Sequence, residues 1–251
     1  MRKVIFVKFI ADLHVHTISS GHAYSTVLEI AQAASKKEGL EMIALTDHGP
    51  SMPGAPCAYH FSNQVAIPNR VHGVRILKGI EANIMNRDGG LDLDDDRLAK
   101  LDVVAAGLHT FCAPYGSMDE NTMMLINAMK NRFVDIIVHP GNPEYLMDEA
   151  IIVQAAAELD VALEINNCSL TAARKGSEPH CHNIVNLAKL YGTKLVVGSD
   201  SHFADTVADF GAAQEILSTH GIPAEQVLNT SVERILDHLN RRSNRTHKVV
   251  F

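Results

Sequence analysis

Histidines and carboxylates recur along this chain at positions that favour metal binding. Asp12, His14 and His16 alternate with apolar residues, so a β-strand would present all three on one face. The chain has seven short apolar runs, and six of them end in a histidine or an acidic residue. Chance placement does not explain so many. The candidate metal ligands are His14, His16, His22, His48, Glu81, His109, His139, Asp200 and His202.

The composition of this set indicates which metals it would bind. Imidazole-rich sites with a few carboxylates suit Zn²⁺, Mn²⁺ or Fe²⁺, whereas Mg²⁺ and Ca²⁺ prefer oxygen ligands. Seven imidazoles with Glu81 and Asp200 exceed what one tetrahedral ion can use. We therefore expect two or three divalent ions, with Glu81 as a bridging ligand. Such a site would stay strongly positive and would attract hydroxide and a phosphate dianion.

Further polar residues are candidates for catalytic roles. Asp12 and Asp47 are expected to orient ligating histidines, with direct coordination as the alternative. Arg174 and Lys175 follow a predicted strand and are candidates for a phosphate clamp, because arginine binds phosphate oxygens through two hydrogen bonds. A solvated loop is the alternative for this pair. The remaining histidines lie in helix-like or tail segments and are expected to have surface roles; they are His60, His72, His180, His182, His220, His238 and His247.

The elements that must position these residues alternate between strands and helices. The β-branched, nearly continuous apolar runs are typical of strands buried on both faces. They span residues 9–14, 41–48, 74–82, 102–109, 134–140, 161–167 and 194–202. Helical spacing appears between them, at 25–40, 119–133, 148–160 and 182–192. Ser25 and Asp119 are predicted N-caps, and Gly39 and Gly192 are predicted C-terminal stops.

This alternation predicts an α/β fold with a parallel sheet. About seven strand–helix units favour a closed or nearly closed TIM-like barrel of the (β/α)7 type, with an open doubly wound sheet as the alternative. In a parallel barrel the carboxyl ends of all strands meet at one rim. The candidate ligands should therefore converge at that rim, although they are far apart in the sequence.

The overall composition is that of a soluble globular protein. The 251 residues are 46% hydrophobic and 20% charged, which suits one domain over residues 1–251. The start, residues 1–14, is predicted to be a first strand rather than a signal peptide, and the expected location is cytoplasmic. No apolar run suggests a membrane span. A net charge of -7 disfavours nucleic acid as a partner, and the four cysteines show no paired motif.

The candidate motifs resemble a known family in type and order. They are DLHVH at 12–16, TDHG at 46–49, Glu81, LH at 108–109, HPG at 139–141 and SDSH at 199–202. These are similar to the ordered motifs of the PHP (polymerase and histidinol phosphatase) superfamily, from about residue 9 to about residue 240. Three further segments, HPGNPEY, EINNCS and RKGSE, resemble the bacterial YcdX-type branch of probable phosphatases.

The resemblance implies a distorted seven-stranded barrel that holds three metal ions, generally zinc. By motif, the three implied ligand groups are His14, His16, Glu81 and Asp200; then Glu81, His109 and His139; then His22, His48 and His202. No motif position is substituted in this chain, and an intact set favours an active enzyme.

Together these patterns predict a metal-dependent hydrolase of the phosphoric monoester class. A metal-bridged hydroxide would attack the phosphorus of a small phosphorylated substrate, with Zn²⁺ favoured and Mn²⁺ or Fe²⁺ as alternatives. Three other functions stay open: a metal-dependent phosphodiesterase or nuclease, another hydrolase on the same scaffold, and a non-catalytic metal-binding module. Related barrel enzymes often associate, so a homo-oligomer is a further expectation.

Overall fold

The computed structural model describes residues 8–242 and 245–251. Within these residues the strands are β1 Ala11–Val15, β2 Met42–Leu45, β3 Arg70–Val71, β4 Val74–Asn83, β5 Val103–Gly107, β6 Ile136–Ile137, β7 Ala162–Asn166 and β8 Leu195–Gly198. The helices are α1 Val27–Ala34, α2 Ala58–Asn63, α3 Asp95–Leu98, α4 Met118–Met129, α5 Glu149–Glu158, α6 Asn167–Thr171, α7 Ser177–Tyr191, α8 Gly211–His220 and α9 Val232–Arg242. None of these helices is long and apolar enough to cross a membrane.

Seven parallel strands form a nearly closed barrel in the order β1-β2-β4-β5-β6-β7-β8. A parallel bridge between Val15 and Ser201 joins the two ends of the sheet just past β8. All seven predicted strands are present, and the TIM-like α/β barrel is confirmed. The pattern missed β3, a short strand that pairs antiparallel with β4 and is joined to it by a tight turn at His72 and Gly73.

The strands are apolar along their length because both of their faces are buried. Residues such as Leu13, Met42 and Leu77 pack inside the barrel. Alternate residues of the same strands pack outward against the helices. Ile235 and Leu239 of α9 join the inner cluster, so this helix contributes to the barrel core. The carboxyl ends of the strands lie at the opposite rim and carry the candidate ligands.

Local hydrogen bonds set where the helices begin. Thr26 and Ser117 each cap a helix through a capping box with a glutamate three residues later. The predicted N-caps Ser25 and Asp119 are therefore wrong by one and two residues, since Thr26 and Ser117 form the capping boxes instead. Gly192 ends α7 in the left-handed conformation, as predicted.

Candidate metal centre

Glu81 lies at the centre of the histidine cluster, near the carboxyl end of β4. Its Oε1 is 2.9 Å from His109 Nε2 and 2.7 Å from His139 Nε2. Its Oε2 is 2.8 Å from His48 Nδ1. The carboxylate is buried, and each of its oxygens faces a different group of imidazoles. The Glu81 carboxylate therefore lies between these imidazoles, and its bridging role stays a prediction.

A second group forms where β1 meets the segment after β8. The Nε2 atoms of His14 and His16 are 3.1 Å apart, and each is 3.4 Å from Glu81 Oε2. Asp200 Oδ1 is 3.1 Å from His16 Nε2 and 3.5 Å from His14 Nε2. The alternation along β1 thus places both imidazoles on the face that meets Asp200 and Glu81.

A third group of imidazoles lies toward solvent. The ring of His22 stacks on those of His48 and His202, with centroids 4.9 and 5.0 Å away. His16 lies beneath them, 4.3 Å from the His202 centroid and 4.5 Å from that of His48. One potential donor atom each from His16, His48 and His202 lies within 4.8 Å of the others.

Glu164 orients His14 from the interior of the barrel. Its Oε1 accepts a hydrogen bond from His14 Nδ1 at 2.7 Å, which turns the Nε2 lone pair toward the cluster. Its Oε2 accepts from the backbone N–H of His139 at 2.8 Å and from the Asn166 side chain at 3.0 Å. Glu164 therefore supports two of the candidate ligands without belonging to the cluster itself.

Asp47 orients His16 through a hydroxyl group. Ser20 Oγ donates to Asp47 at 2.8 Å and accepts from His16 Nδ1 at 3.0 Å. Because the hydroxyl has one proton and gives it to the carboxylate, His16 must be protonated on Nδ1. Its Nε2 is then available as a metal ligand. Thr17 N–H donates to Asp47 at 2.7 Å, and His60 Nε2 lies 3.3 Å from it.

Asp12 has a different position from the one expected. Its carboxylate accepts hydrogen bonds from the Ser199 side chain and from the Ala208 N–H, and it meets His14 only at the backbone N–H. Asp12 therefore ties β1 to the segment after β8 and does not orient an imidazole ring. Burial raises the pKa of this carboxyl to about 6 against the opposing effect of the hydrogen bonds from Ser199 and Ala208.

Arg174 reaches the cluster from the loop after α6. Its Nη1 donates to Asp200 Oδ2 at 3.0 Å and to Ser169 Oγ at 3.1 Å. The side chain also lines the cavity above the cluster. Lys175, the next residue, is exposed and lies outside the lining of that cavity. Of the two predicted clamp residues, only Arg174 therefore faces the site.

The cluster forms the floor of a cavity of about 780 Å³. Three aromatic side chains at the rim are unusually exposed, namely Tyr24 at 74%, Phe111 at 76% and Phe203 at 51%. Glu144 and Asp209 also line the cavity and add negative charge to it. The volume is within the range of small-molecule sites and far exceeds what a phosphate ion alone requires.

The donor set fits divalent metal ions. His48 Nδ1 and Glu81 Oε2 are buried and only 2.8 Å apart, yet neither has a hydrogen-bond partner with acceptable geometry. A cation that both atoms could coordinate would satisfy them. Burial lowers the pKa of His16 and of His139 to about 3 and so favours their neutral, ligating form.

The carboxylates of the cluster stay charged despite burial. Desolvation alone would raise the pKa of Glu81, but the neighbouring histidines, His48 first, hold it well below its usual value. In Asp200 desolvation is likewise outweighed, first by His14 and then by Arg174. The charged carboxylates and the neutral imidazoles of His16 and His139 are in the state that a transition metal requires.

Three backbone positions in the site lie in the sparsely populated left-handed region. They are His139, Arg174 and Asp200, with φ of 36°, 41° and 54°. Non-glycine residues held there cost about 1–3 kcal/mol each, and such strain concentrates at functional sites. Among the described residues, these are three of the six non-glycine positions with positive φ.

Comparison with known proteins identifies the family. A model of the PHP domain matches residues 12–237. The chain belongs to the PHP domain family. A probable phosphatase of Acetivibrio thermocellus is 46% identical to it over 242 residues, which cover 96% of this chain and 100% of that protein. A probable phosphatase of Thermoanaerobacter sp. is 47% identical over 240 residues, which cover 95% of this chain and 98% of that protein. The sequence-based assignment to the PHP superfamily is confirmed.

Solved structures share the PHP barrel. The histidinol phosphate phosphatase of Lactococcus lactis, crystallised with zinc, L-histidinol and phosphate, aligns with a TM-score of 0.58 and 17% identity. The alignment covers 85% of this chain and 94% of that one. At this identity the likeness establishes the common fold.

The geometry and the PHP motif groups agree only in part. Glu81, His109 and His139 lie together, as do His14, His16 and Asp200 around Glu81 Oε2. The exception is His48, which the motifs group with His22 and His202. It does stack on His22, but its Nδ1 lies closest to Glu81. His48 thus lies between two groups of candidate ligands and has an atom within reach of an ion in either group.

The sequence pattern missed two residues of the PHP site. Glu164 was overlooked because it lies within an apolar run rather than at its end, although Glu164 and Asn166 alternate on one face of β7. Ser20 had no signal in the sequence. The expected surface role is wrong for His238, which is buried with Nε2 3.0 Å from a backbone carbonyl oxygen.

Proposed function

We propose that this protein is a metal-dependent phosphatase that hydrolyses phosphate monoesters of small organic molecules. The proposed cofactors are three divalent ions, with Zn²⁺ favoured and Mn²⁺ or Fe²⁺ as alternatives. The proposed ligands are the nine clustered residues His14, His16, His22, His48, Glu81, His109, His139, Asp200 and His202.

One observation carries this proposal. Seven imidazoles and the Asp200 carboxylate cluster around the central Glu81 carboxylate on the floor of a cavity that an organic molecule could enter. A purely structural cluster would leave buried polar atoms such as His48 Nδ1 without a partner, which costs about 1–3 kcal/mol each. The names of the relatives, probable phosphatases at 46–47% identity, support the same reaction class.

The protein side chains have separable roles in this scheme. Divalent ions bound there would lower the pKa of water and neutralise phosphate oxygens. Arg174 would bind a non-bridging phosphate oxygen with the guanidinium donors that Asp200 and Ser169 do not use. Asp47, acting through Ser20, and Glu164 would hold His16 and His14 in the correct tautomer and orientation.

The cavity supports a monoester with a sizeable leaving group. Its volume of about 780 Å³ leaves space above the phosphate position for an organic group. The exposed aromatic rings of Tyr24, Phe111 and Phe203 would cover that group. A nucleic-acid backbone would instead favour a basic track. Glu144 and Asp209, which line the cavity outside the proposed ligand set, disfavour such a polyanion.

The test is hydrolysis by the purified protein of an aryl phosphate monoester and the matching diester. Each assay is run as isolated, after chelation, and after chelation followed by added Zn²⁺ or Mn²⁺. We expect monoester turnover that chelation abolishes and metal restores, and bound metal near three ions per chain by elemental analysis. Turnover of the diester alone would move the protein to the phosphodiesterases.

Two histidine variants distinguish the loss of a metal ligand from a general effect of replacing a histidine. His139→Ala removes a candidate ligand 2.7 Å from Glu81 and should reduce both bound metal and turnover. His182→Ala, on α7, changes a histidine outside the cavity and should reduce neither. Full metal content and activity in His139→Ala would eliminate the ligand assignment. A metal-loaded protein inactive on both esters would favour a binding role.

A further inference from the structure

A second cavity, of about 390 Å³, lies between α2, β4 and the C-terminal segment. Four cationic side chains line it: Arg75, Lys78, Lys100 and Lys248. Asp102 is the single carboxylate among its described lining residues. The cavity has no lining residue in common with the one above the metal centre. The excess of positive charge is local, because the chain as a whole has a net charge of -7.

Arg75 forms the fixed wall of this cavity. It is 4% exposed, and its guanidinium donates to the backbone carbonyls of Val250 at 2.9 Å, Asn69 at 3.2 Å and Ile76 at 2.9 Å. Among residues 8–242 and 245–251, no carboxylate forms an ion pair with it. The carbonyl groups hold this guanidinium in place but carry no net charge, so no direct ion pair compensates the cation.

Asp102 offsets only part of this positive charge, because it is one carboxylate among four cationic side chains and both of its oxygens have other partners. One accepts the backbone N–H of Lys78 at 2.9 Å, and the other lies 2.8 Å from His247 Nε2. Lys78 Nζ contacts the Asn69 side chain. The ammonium groups of Lys100 and Lys248 form no hydrogen bond or ion pair within the described part of the chain. Three ammonium groups therefore retain unused donors at one cavity.

The charge balance at Lys78 is consistent with this geometry. Burial lowers the pKa of Lys78, and the nearby Arg75 charge lowers it further, against the opposing effect of Asp102. Burial also lowers the pKa of Arg75, against the opposing effect of Asp102, and Arg70 adds to the lowering. An anion in the cavity would relieve the repulsion among these cations.

We propose that this cavity binds a small phosphate-bearing anion. Ammonium and guanidinium groups are the usual side-chain partners of phosphate oxygens. The volume lies at the small end of ligand sites, which suits orthophosphate, pyrophosphate or the phosphoryl end of a small metabolite. This site is separate from the proposed catalytic centre, and its occupancy does not depend on metal ions.

The experiment measures equilibrium binding of radiolabelled orthophosphate and pyrophosphate to chelator-treated full-length protein, with circular dichroism to verify that it is folded. Chelation removes any phosphate site that metal ions would create. We expect one saturable site per chain. Lys100→Gln/Lys248→Gln should weaken binding about tenfold, because two nearby charges are lost. The control Lys36→Gln/Lys130→Gln removes two exposed lysines that lie outside this cavity and should leave binding unchanged.

Two outcomes would overturn the proposal. One is the absence of saturable binding to the folded, chelator-treated protein. The other is equal weakening in both double variants, which would indicate general charge screening rather than a site. Competition with adenosine monophosphate distinguishes the sources of the ligand. Displacement at lower concentrations than orthophosphate supports a larger phosphorylated metabolite, and weaker displacement supports the free ion.

Discussion

Glu164 Oε1 and His14 Nδ1 lie 2.7 Å apart although their strands, β7 and β1, are not neighbours. The strand between them is β8, and it has Gly198 at the level where the two side chains meet. A Cβ built on Gly198 would overlap the Glu164 carboxylate and lie 2.8 Å from His14 Cβ. Because Gly198 on β8 has no side chain, the Glu164 carboxylate on β7 can reach His14 on β1, a candidate metal ligand.

Replacing Glu164 by glutamine should weaken metal binding. All three partners of the carboxylate are donors, so the amide NH₂ of glutamine would face at least one of them. We expect about 10- to 100-fold lower metal affinity, the usual effect of losing a group that orients a ligand. Competition with a chromophoric chelator measures it. The control Glu158→Gln changes an exposed residue of α5. Equal affinity in wild type and Glu164→Gln would contradict the positioning role.

Gly198→Ala should produce a similar loss without removing any polar group. The new methyl must displace the Glu164 carboxylate or push His14 aside. Gly211→Ala is the matched control, because the nearest atom to its Cβ would be 3.9 Å away. Metal content after dialysis against a metal buffer should fall only in Gly198→Ala. If both variants keep their metal, the close packing at β8 has no role in binding.

The sequence predicted the seven barrel strands and the rim because both depend on repeated local patterns. Apolar runs indicate buried strands, and polar residues at their ends mark the rim. It missed Glu164 because the role of this residue depends on a glycine that is distant in the sequence. Ser20 was missed for a related reason. Its hydroxyl bridges Asp47 and His16 only because the turn after β1 folds back over the end of β2.

Ser20→Ala should loosen His16. The change leaves the Nδ1 proton of His16 without its acceptor and removes one donor from Asp47. An unsatisfied buried polar group costs about 1–3 kcal/mol, so both thermal stability and metal affinity should fall. Ser35→Ala is the control, since that exposed hydroxyl caps only a helix carbonyl at 2.8 Å. If calorimetry and metal titration find no difference between the two variants, Ser20 does not position His16 for Asp47.

Arg174→Ala should raise KM for a phosphate monoester and weaken inhibition by orthophosphate, each about tenfold or more, because a charged hydrogen bond contributes about 1.5–3 kcal/mol. Lys175→Ala is the neighbouring control and should leave both constants unchanged, since Lys175 lies outside the cavity lining. Metal content must be measured alongside, because Arg174 also holds Asp200 at 3.0 Å. Loss of metal with an unchanged KM would make Arg174 a positioning residue rather than a phosphate ligand.

Phe111→Ala should affect the organic part of the substrate and not its phosphate. The ring is 76% exposed at the cavity rim, an exposure that disfavours a role in the barrel core. A ring that covers the leaving group would contribute mainly to binding, so KM for an aryl phosphate should rise several-fold at constant kcat. KM for a methyl phosphate, which has almost no leaving group to cover, should not change.

The control for this variant is Tyr59→Ala, which removes another exposed ring, at 69%, that lies outside the cavity lining. It should change neither substrate's kinetics. Equal effects of Phe111→Ala on aryl and methyl phosphates would mean that the ring supports the structure of the cavity rim and does not contact the leaving group. An aryl-specific rise in KM would instead place the leaving group under Phe111, because only contact with that group distinguishes the two esters.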